Sequence, residues 1–339
     1  MSLRIGHVAY ATLQGLGVMA RSFYDAGVVT EPIIYRHSRH NHVEWYPPDT
    51  PQIAVRNFFG TSLDEVLRRV DVMLFYETPF DWSFLPHCKA MGVKTVLIPM
   101  YEWTPKTPPY WFDKVIAPSK LDRDYFPGSV YLPIPVDPRY WKPRTHARTF
   151  LHNCGHLGHR EHKGTRELLE AVKYVRSSEF RLTVRGQGDS GLQKLAQRVF
   201  PRAVDPRLAI EIVDIPHDRL WAEDTHDVYV APEKFNGLSL PLQEARAAGM
   251  LVMASDRYPH NDWLPREPLV PVASYSRASI SSSYLEFDEA RIEPKAIAAK
   301  IDEWVGCDII DYSLSGREWA EANSWTALKP KWLEELNRW

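Results

Sequence analysis

The sequence predicts an α/β protein with two Rossmann-like, doubly wound domains in tandem. Short apolar runs of strand length alternate with helix-like segments, which is typical of a parallel sheet covered by helices on both faces. Five prolines interrupt this alternation between residues 127 and 148, and the alternation then starts again. The length of 339 residues also suits two domains of about 150 residues each.

The first domain is predicted to contain strands over Arg4–Tyr10, Val28–Tyr35, Asp71–Tyr76, Val93–Met100 and Lys114–Ala117. A helix is expected from the turn at Gly15–Gly17 to about Asp25. A second helix is expected over Thr61–Arg69, because Thr61 or Ser62 suits an N-cap and Glu65 suits a capping box.

The second domain is predicted to repeat the same pattern. Its strands are expected over Phe150–Cys154, Arg181–Arg185, Ala209–Val213, Asp227–Ala231 and Met250–Ala254. Its helices are expected over Thr165–Val175, Ser190–Val199 and Leu240–Ala248, the last one ended by Gly249. A serine-rich loop is expected at Ser279–Ser283. The density of prolines places the domain boundary near Pro143.

Composition excludes several classes of protein. Apolar residues make up 44% and charged residues 25%, a mixture that is typical of globular proteins. The formal net charge of −2 gives no overall field that would attract nucleic acid or anionic lipid. Three scattered cysteines favour a reducing compartment, so we expect a cytoplasmic protein. Apolar runs of about six residues predict no transmembrane segment.

The most informative segment is Ala231–Gly249, APEKFNGLSLPLQEARAAG. A predicted strand ends at Pro232, a short polar loop follows, and a helix is expected to open near Leu238. The amino-terminal end of a helix favours phosphate, and the carboxylate of Glu244 can accept hydrogen bonds from vicinal hydroxyls. An ordinary loop and helix with a solvated glutamate is the alternative interpretation.

This segment and its continuation to Asp256 resemble the PSxxEGxxxxxxEAxAxGxPV block of retaining GT-B glycosyltransferases, especially the GT4-like group. Six further segments resemble motifs of that family in the family's order: Gly15–Gly17, Asp113–Ser119, Tyr131–Pro143, Phe150–Gly164, Arg181–Gly188 and Gly316–Trp325. The resemblance implies a GT-B fold, in which the two Rossmann-like domains face each other across a cleft. It also implies an acceptor-binding domain at 1–143, a nucleotide-sugar-binding domain at 144–325 and a helix at 326–339 that crosses back to the first domain.

The resemblance implies a retaining hexosyltransferase that needs no metal ion or other cofactor. Its donor would be a nucleotide-diphosphate sugar, with a UDP-sugar favoured, and its acceptor a hydroxyl on a saccharide, a small molecule or a modified nucleic acid. The terminal helix, over about Ala327–Trp339, is expected to pack on the first domain through Trp332 and Leu336.

The resemblance also assigns roles to individual residues. Lys163 matches the lysine that neutralises the diphosphate and stabilises the leaving nucleotide, and Glu244 matches the glutamate that holds the ribose hydroxyls. The backbone of Gly237, Leu238 and Ser239 would meet the diphosphate and the sugar. Further donor contacts are implied for Gly15, Gly17, Gly186 and Gly188, and, around the base, for Ile215 and His217.

Three positions depart from the family pattern. Asn236 replaces the first glutamate of the E-x7-E motif and brings no negative charge. His156 replaces the arginine that accompanies the lysine, and Arg160 is near enough in sequence to substitute for it. Tyr101 or Glu102 stands where the family often has a histidine. The expected catalytic set is therefore Tyr101, Glu102, Lys163 and Asn236.

Two patterns that suggest metal sites have more ordinary interpretations. The histidines at 152, 156, 159 and 162 have the spacing of ligands, but a polar loop facing a diphosphate explains them better. The triplet Asp122-Arg123-Asp124 resembles a D-x-D metal motif, and we expect a solvated helix face there. No metal site is therefore predicted. Ala20 stands at the third glycine position of a GxGxxG fingerprint, which disfavours a dehydrogenase.

Two alternative functions stay open at this point. The basic loop Arg36–His42 is more simply a solvated loop, but it also suits an anionic acceptor, as in a transferase acting on a hydroxylated base in DNA. A GT-B binding or scaffold protein that has lost catalysis is the other alternative, motivated by Asn236 and by the missing histidine at the place of Tyr101 or Glu102.

Overall fold

The structure is a computed structural model that describes residues 3–36, 42–53, 61–79, 81–156, 161–188, 191–280 and 285–339. The chain divides into two compact units. Unit 1 contains Met1–Pro135, Ile280–Leu285 and Trp325–Trp339, and unit 2 contains Val136–Ser279 and Glu286–Ser324. The passage from one unit to the other at Pro135 lies within the proline-rich segment.

Unit 1 is built on a parallel sheet which, within the described residues, has seven strands in the order β3-β2-β1-β4-β5-β6-β7. These strands are β1 Ile5–Tyr10, β2 Glu31–Tyr35, β3 Gln52–Ile53, β4 Val72–Tyr76, β5 Lys94–Ile98, β6 Lys114–Ala117 and β7 Val130–Tyr131. The helices between them are α1 Gly15–Asp25, α2 Thr61–Arg69, α3 Phe84–Ala90 and α4 Lys120–Tyr125. Every residue of β4 is buried, which is why its sequence is an unbroken apolar run.

Unit 2 is built on a parallel sheet of five strands among the described residues, in the order β10-β9-β8-β11-β12. The strands are β8 Thr149–Gly155, β9 Arg181–Gly186, β10 Leu208–Ile212, β11 Val228–Ala231 and β12 Leu251–Ala254. The helices are α5 Thr165–Ala171, α6 Leu192–Val199, α7 His217–Leu220, α8 Leu240–Ala247, α9 His260–Trp263, α10 Pro294–Trp304 and α11 Ile310–Ala322. An additional two-stranded sheet consists of β13 Ser274–Ile280 and β14 Leu285–Arg291.

The strand order of unit 2 indicates where a ligand would bind. Strand β8 is flanked by β9 on one side and by β11 on the other, so the chain leaves β8 and β11 in opposite directions along the sheet. In doubly wound sheets, ligands bind outside the carboxyl ends of the strands at this reversal of order. The loops that follow β8 and β11 are therefore the first place to look for a site.

Helix α12, Trp325–Asn337, belongs to unit 1 although it follows unit 2 in sequence. Trp332 is fully buried, its Nε1 donates a hydrogen bond to the carbonyl oxygen of Pro133 at 3.1 Å, and its ring meets Phe23 edge to face at 4.8 Å. Lys114 and Glu335 form an ion pair at 2.9 Å. The helix therefore completes the core of unit 1.

The structure confirms the predicted α/β class with parallel sheets and differs from the sequence analysis in some elements. The sequence analysis did not predict the short strands β3 and β7, the helices α3, α7, α9, α10 and α11, or the two-stranded β13–β14 sheet. It also placed a loop at Ser279, which instead lies in β13. The helix expected over Leu240–Ala248 is found as α8, Leu240–Ala247.

Candidate active site at the carboxyl edge of the unit 2 sheet

The loop after β8 and the loop after β11 are in close contact at the point where the strand order of the sheet reverses. Gly164 has a left-handed backbone (φ +70°), and a Cβ atom there would lie 2.0 Å from the carbonyl oxygen of Pro232. The backbone N–H of Lys234 donates to the carbonyl oxygen of His162 at 2.8 Å. These two contacts bring Lys163 directly alongside the residue that follows Pro232, which is Glu233.

Lys163 and Glu233 form an ion pair whose carboxylate is buried. Lys163 Nζ donates to Glu233 Oε1 at 2.7 Å, and the Oγ of Ser239 donates to the same oxygen at 2.9 Å. The Glu233 side chain is 1% exposed, whereas the Lys163 side chain is 17% exposed. The cation of this pair is therefore the member that a ligand can reach.

Two further side chains surround Glu233. His260 Nε2 lies 3.6 Å and Arg257 Nη2 lies 4.0 Å from Glu233 Oε2. Burial on its own would raise the pKa of Glu233, but the positive charges of Lys163 and Arg257 outweigh it and lower the pKa to about 2. Glu233 is thus an anion at any physiological pH.

Arg257 and Asn236 fix the shape of the loop that leads into α8. Arg257 Nε donates to the carbonyl oxygen of Glu233 at 3.0 Å, and its Nη2 donates to that of Asn236 at 2.8 Å. The Oδ1 of Asn236 accepts a hydrogen bond from the backbone N–H of Ser239 at 3.0 Å. Ser239, the residue before α8, has a left-handed backbone (φ +44°), a conformation that non-glycine residues adopt mostly where the surrounding structure enforces it.

Glu244 lies within α8 and is bound by two side chains from the segment around α7. Its Oε1 is 2.7 Å from His217 Nε2, and its Oε2 accepts from Trp221 Nε1 at 2.9 Å. Burial would raise the pKa of Glu244, but His217, Trp221 and the positive charge of Lys163 together lower it. The carboxylate is 16% exposed and keeps its charge.

The remaining predicted donor residues of unit 2 lie near the same edge of the sheet. Gly186 ends β9, and the N–H of Gly188 donates to Asp214 Oδ1 at 3.4 Å. Ile215 and His217 follow β10 and are half-buried. His156 directly follows β8, and Arg160 lies outside the described residues. The backbone of Gly237 and Leu238 forms the loop between β11 and α8.

The other predicted residues lie in unit 1. Gly15 is exposed at the start of α1, whereas Gly17 is buried, and a Cβ atom at residue 17 would lie 2.1 Å from the carbonyl oxygen of Thr12. Gly17 therefore allows α1 to pack tightly on the end of β1. Tyr101 and Glu102 follow β5, and both are buried.

Asp122 corrects one prediction of the sequence analysis. It is fully buried rather than part of a solvated helix face, and its carboxylate accepts a hydrogen bond from the backbone N–H of Tyr101 at 2.7 Å. Burial raises the pKa of Asp122 to about 7, although hydrogen bonds from Ser119 and Tyr101 act in the opposite direction. Arg123 and Asp124 are exposed, as expected for a solvated face.

Two other predicted features are only partly visible. His152 is buried, with Nδ1 2.7 Å from the carbonyl oxygen of Val230 and Nε2 2.9 Å from Thr165 Oγ1, so its ring links β8 to its neighbours. His159 lies outside the described residues, as does most of the basic loop, residues 37–41. His42, at the end of that loop, is 2.9 Å from Glu44.

Neither a metal centre nor a membrane span is found in the described part of the chain. No three His, Cys, Asp or Glu side chains gather there as a set of metal ligands. No helix in the same ranges combines the length and the apolar composition needed to cross a bilayer.

Sequence reasoning missed four residues of this site: Trp221, Glu233, Arg257 and His260. Glu233 could have been noticed, because it stands where the family block has a small serine after proline. The other three lie just outside the segments that carried the prediction: Trp221 is four residues after His217, and Arg257 and His260 follow the matched block that ends at Asp256.

Neither a protein-family model nor a curated protein sequence matches this chain. Several solved structures match it in fold. A glycosyltransferase from Rickettsia africae superposes with a TM-score of 0.71 at 14% identity, covering 99% of this chain and 98% of that one. HepE from Anabaena, in complex with UDP and glucose, gives a TM-score of 0.70 at 10% identity, covering 99% of both chains.

The sucrose-phosphate synthase of Thermosynechococcus elongatus gives a TM-score of 0.68 at 14% identity, covering 99% of this chain and 98% of that one. Identities this low establish the fold and leave the chemistry to be argued from the residues of this chain. On this likeness, and on its two parallel doubly wound sheets, the chain has the GT-B fold of glycosyltransferases.

Proposed function

We propose that this chain is a glycosyltransferase that moves a sugar from a nucleotide-diphosphate sugar, a UDP-sugar in first place, to an acceptor hydroxyl. The observation that carries the proposal is the combination of Lys163 and Glu244 at α8 of unit 2. Lys163 and Ser239, the residue before this helix, both donate hydrogen bonds to Glu233, so Lys163 lies close to the start of the helix. Glu244 lies within the helix. Support also comes from the matching HepE structure, which holds UDP and glucose.

Each of these groups has a role that its chemistry supports. The ammonium of Lys163 and the amino-terminal end of α8 attract a diphosphate and stabilise the negative charge that develops when it leaves. Glu244 uses each carboxylate oxygen for one hydrogen bond, to His217 or Trp221. An ionised carboxylate has about four acceptor positions, so both oxygens retain capacity for ribose hydroxyls.

In the mechanism we propose, the anomeric configuration of the sugar is retained. The leaving diphosphate, held by Lys163 and the start of α8, assists deprotonation of the acceptor hydroxyl on the same face of the sugar. These positive groups neutralise the diphosphate without a metal ion. Asn236 would contact the sugar, and unit 1 would bind the acceptor near Tyr101 and Glu102.

A thermal-shift screen with UDP-, GDP-, ADP- and TDP-linked sugars tests donor binding, because a ligand that binds only the folded state raises the unfolding midpoint. We expect a UDP-sugar to give the largest rise, and a failure of every nucleotide sugar to raise the midpoint would refute the proposal. Slow release of free sugar from the donor, measured in the presence of EDTA, separates an enzyme from an inactive scaffold. NMR of the product's anomeric proton tests retention.

A further inference from the structure

Glu233 is a buried anion beside the cation that we propose for diphosphate binding. It contacts Lys163 at 2.7 Å, and the guanidinium of Arg257 lies 4.0 Å away. His260 is neutral, because burial and the nearby Arg257 lower its pKa well below the usual value. The group of Lys163, Arg257, His260 and Glu233 therefore carries two positive charges and one negative charge.

The two oxygens of the Glu233 carboxylate are held differently. Oε1 accepts hydrogen bonds from Lys163 and Ser239. Oε2 is buried and has no hydrogen-bond partner among the described residues; the neutral His260 lies 3.6 Å from it and the cationic Arg257 lies 4.0 Å from it. Attraction to charge, more than hydrogen bonding, therefore keeps Glu233 ionised inside the protein.

Lys163 can retain its bond to Glu233 while it binds a phosphate. A lysine ammonium has three N–H donors, and in the described part of the chain one of them donates to Glu233. A phosphate oxygen bound to the same ammonium would lie within about 5.5 Å of Glu233 Oε1, the sum of two charge-assisted hydrogen bonds. The bound diphosphate would then have an opposing negative charge as a close neighbour.

We propose that Glu233 is a permanent negative charge of the protein at the diphosphate site. It holds the Lys163 ammonium in place through the ion pair and weakens the binding of the nucleoside diphosphate, so that this product leaves after each transfer. The inference rests on the proposed function and specifies how that site is regulated. Because its side chain is 1% exposed, Glu233 acts through its charge and through Lys163 and makes no contact with the sugar.

The variant Glu233→Gln tests this proposal, because glutamine keeps the size of the side chain and an oxygen for Lys163 and Ser239 but removes the charge. We expect UDP to bind E233Q about tenfold more tightly than wild type in low salt, measured by calorimetry. The gain should shrink in high salt, where charge interactions are screened. Uridine, which has no diphosphate, should bind both proteins equally.

A control variant removes a carboxylate elsewhere in unit 2. Glu170 pairs with Arg166 on the surface of α5 at 3.2 Å, so Glu170→Gln should leave UDP affinity within about twofold. If wild type binds UDP and E233Q binds it equally or more weakly, the inference is wrong and the proposed function stands. If wild type binds no nucleoside diphosphate, the proposed function itself fails.

The proposal can still be tested if E233Q is poorly folded. Removal of the anion leaves Lys163 and Arg257 close together without a counter-charge, and UDP would supply that charge. Saturating UDP should therefore raise the unfolding midpoint of E233Q more than that of wild type. An equal or smaller rise would overturn the proposal.

Discussion

Gly164 and Pro232 approach so closely that a Cβ atom on residue 164 would lie 2.0 Å from the Pro232 carbonyl oxygen. This contact joins the loop after β8 to the loop after β11, and it sets the position of Lys163 beside Glu233. A glycine is needed here for two reasons, the lack of space and the positive φ of +70°.

Gly164→Ala should therefore be strongly destabilising and should also weaken nucleotide binding. We expect a loss of about 3 kcal/mol or more in the free energy of unfolding, measured by urea denaturation. Gly191→Ala is the matched control, because Gly191 has a similar φ of +68° but a Cβ atom there would meet no other atom within 4 Å. That variant should lose only about 1–2 kcal/mol, the cost of the left-handed backbone. Equal losses for the two variants would contradict the close contact.

Glu244→Gln should reduce the affinity for UDP by about 10- to 100-fold, because a charged acceptor for the ribose hydroxyls is lost. Calorimetry with UDP and 2′-deoxy-UDP gives the sharper test. Wild type should prefer the ribose form, and E244Q should lose most of that preference. Glu223→Gln, which removes an exposed carboxylate paired with Arg219, should leave both affinities unchanged. An unchanged ribose preference in E244Q would remove Glu244 from the nucleotide site.

Asp122 should make unit 1 less stable as the pH rises from about 4 to 7. Its pKa is about 7 in the folded protein and 3.8 in the reference state. A group with a raised folded pKa contributes stability that is complete below the unfolded pKa and is lost as the pH rises through the folded pKa. Over the whole titration of Asp122, the free energy of unfolding falls by about 4 kcal/mol.

Asp122→Asn should remove this pH dependence, so its stability relative to wild type should increase between pH 4 and pH 7. Urea denaturation at several pH values measures the difference. Asp124→Asn, on the exposed side of the same helix, should give a curve parallel to that of wild type. Parallel curves for D122N and wild type would show that Asp122 is ionised in the folded protein at low pH.

Trp332→Ala should lower the free energy of unfolding of unit 1 by about 3–5 kcal/mol, because it opens a cavity and removes the hydrogen bond to Pro133. Trp111→Ala is the control, since Trp111 is 68% exposed and should change stability by less than about 0.5 kcal/mol. Thermal unfolding of the two variants is sufficient for the comparison. A loss for W332A no larger than that for W111A would mean that α12 does not support unit 1.

The parts of the fold that the sequence predicted are those with a strong local signal. Buried parallel strands such as β4 must be apolar along their whole length, so each one appears as an apolar run. The two-stranded β13–β14 sheet has no such signal, because most of the described side chains of β13 are exposed and only Ala278 is buried among them. Its residues therefore resemble a polar loop.

The candidate site divides in the same way. Lys163 and Glu244 were found because each belongs to a short motif with fixed spacing. Glu233 was missed because its environment consists of Lys163, Arg257 and His260, which separate segments of the chain bring together. Asp122 was misjudged for a related reason, since only the fold shows that its helix turns this carboxylate inwards toward Tyr101.

Helix α12 has a consequence for how the protein is made. Unit 1 needs Trp332 to fill its core, and this residue follows the whole of unit 2 in the chain. During synthesis, unit 2 can therefore finish folding before unit 1, even though unit 1 begins first. A nascent chain that stops before α12 would expose the surface around Phe23, and loss of the last helix would damage the amino-terminal unit rather than its neighbour in sequence.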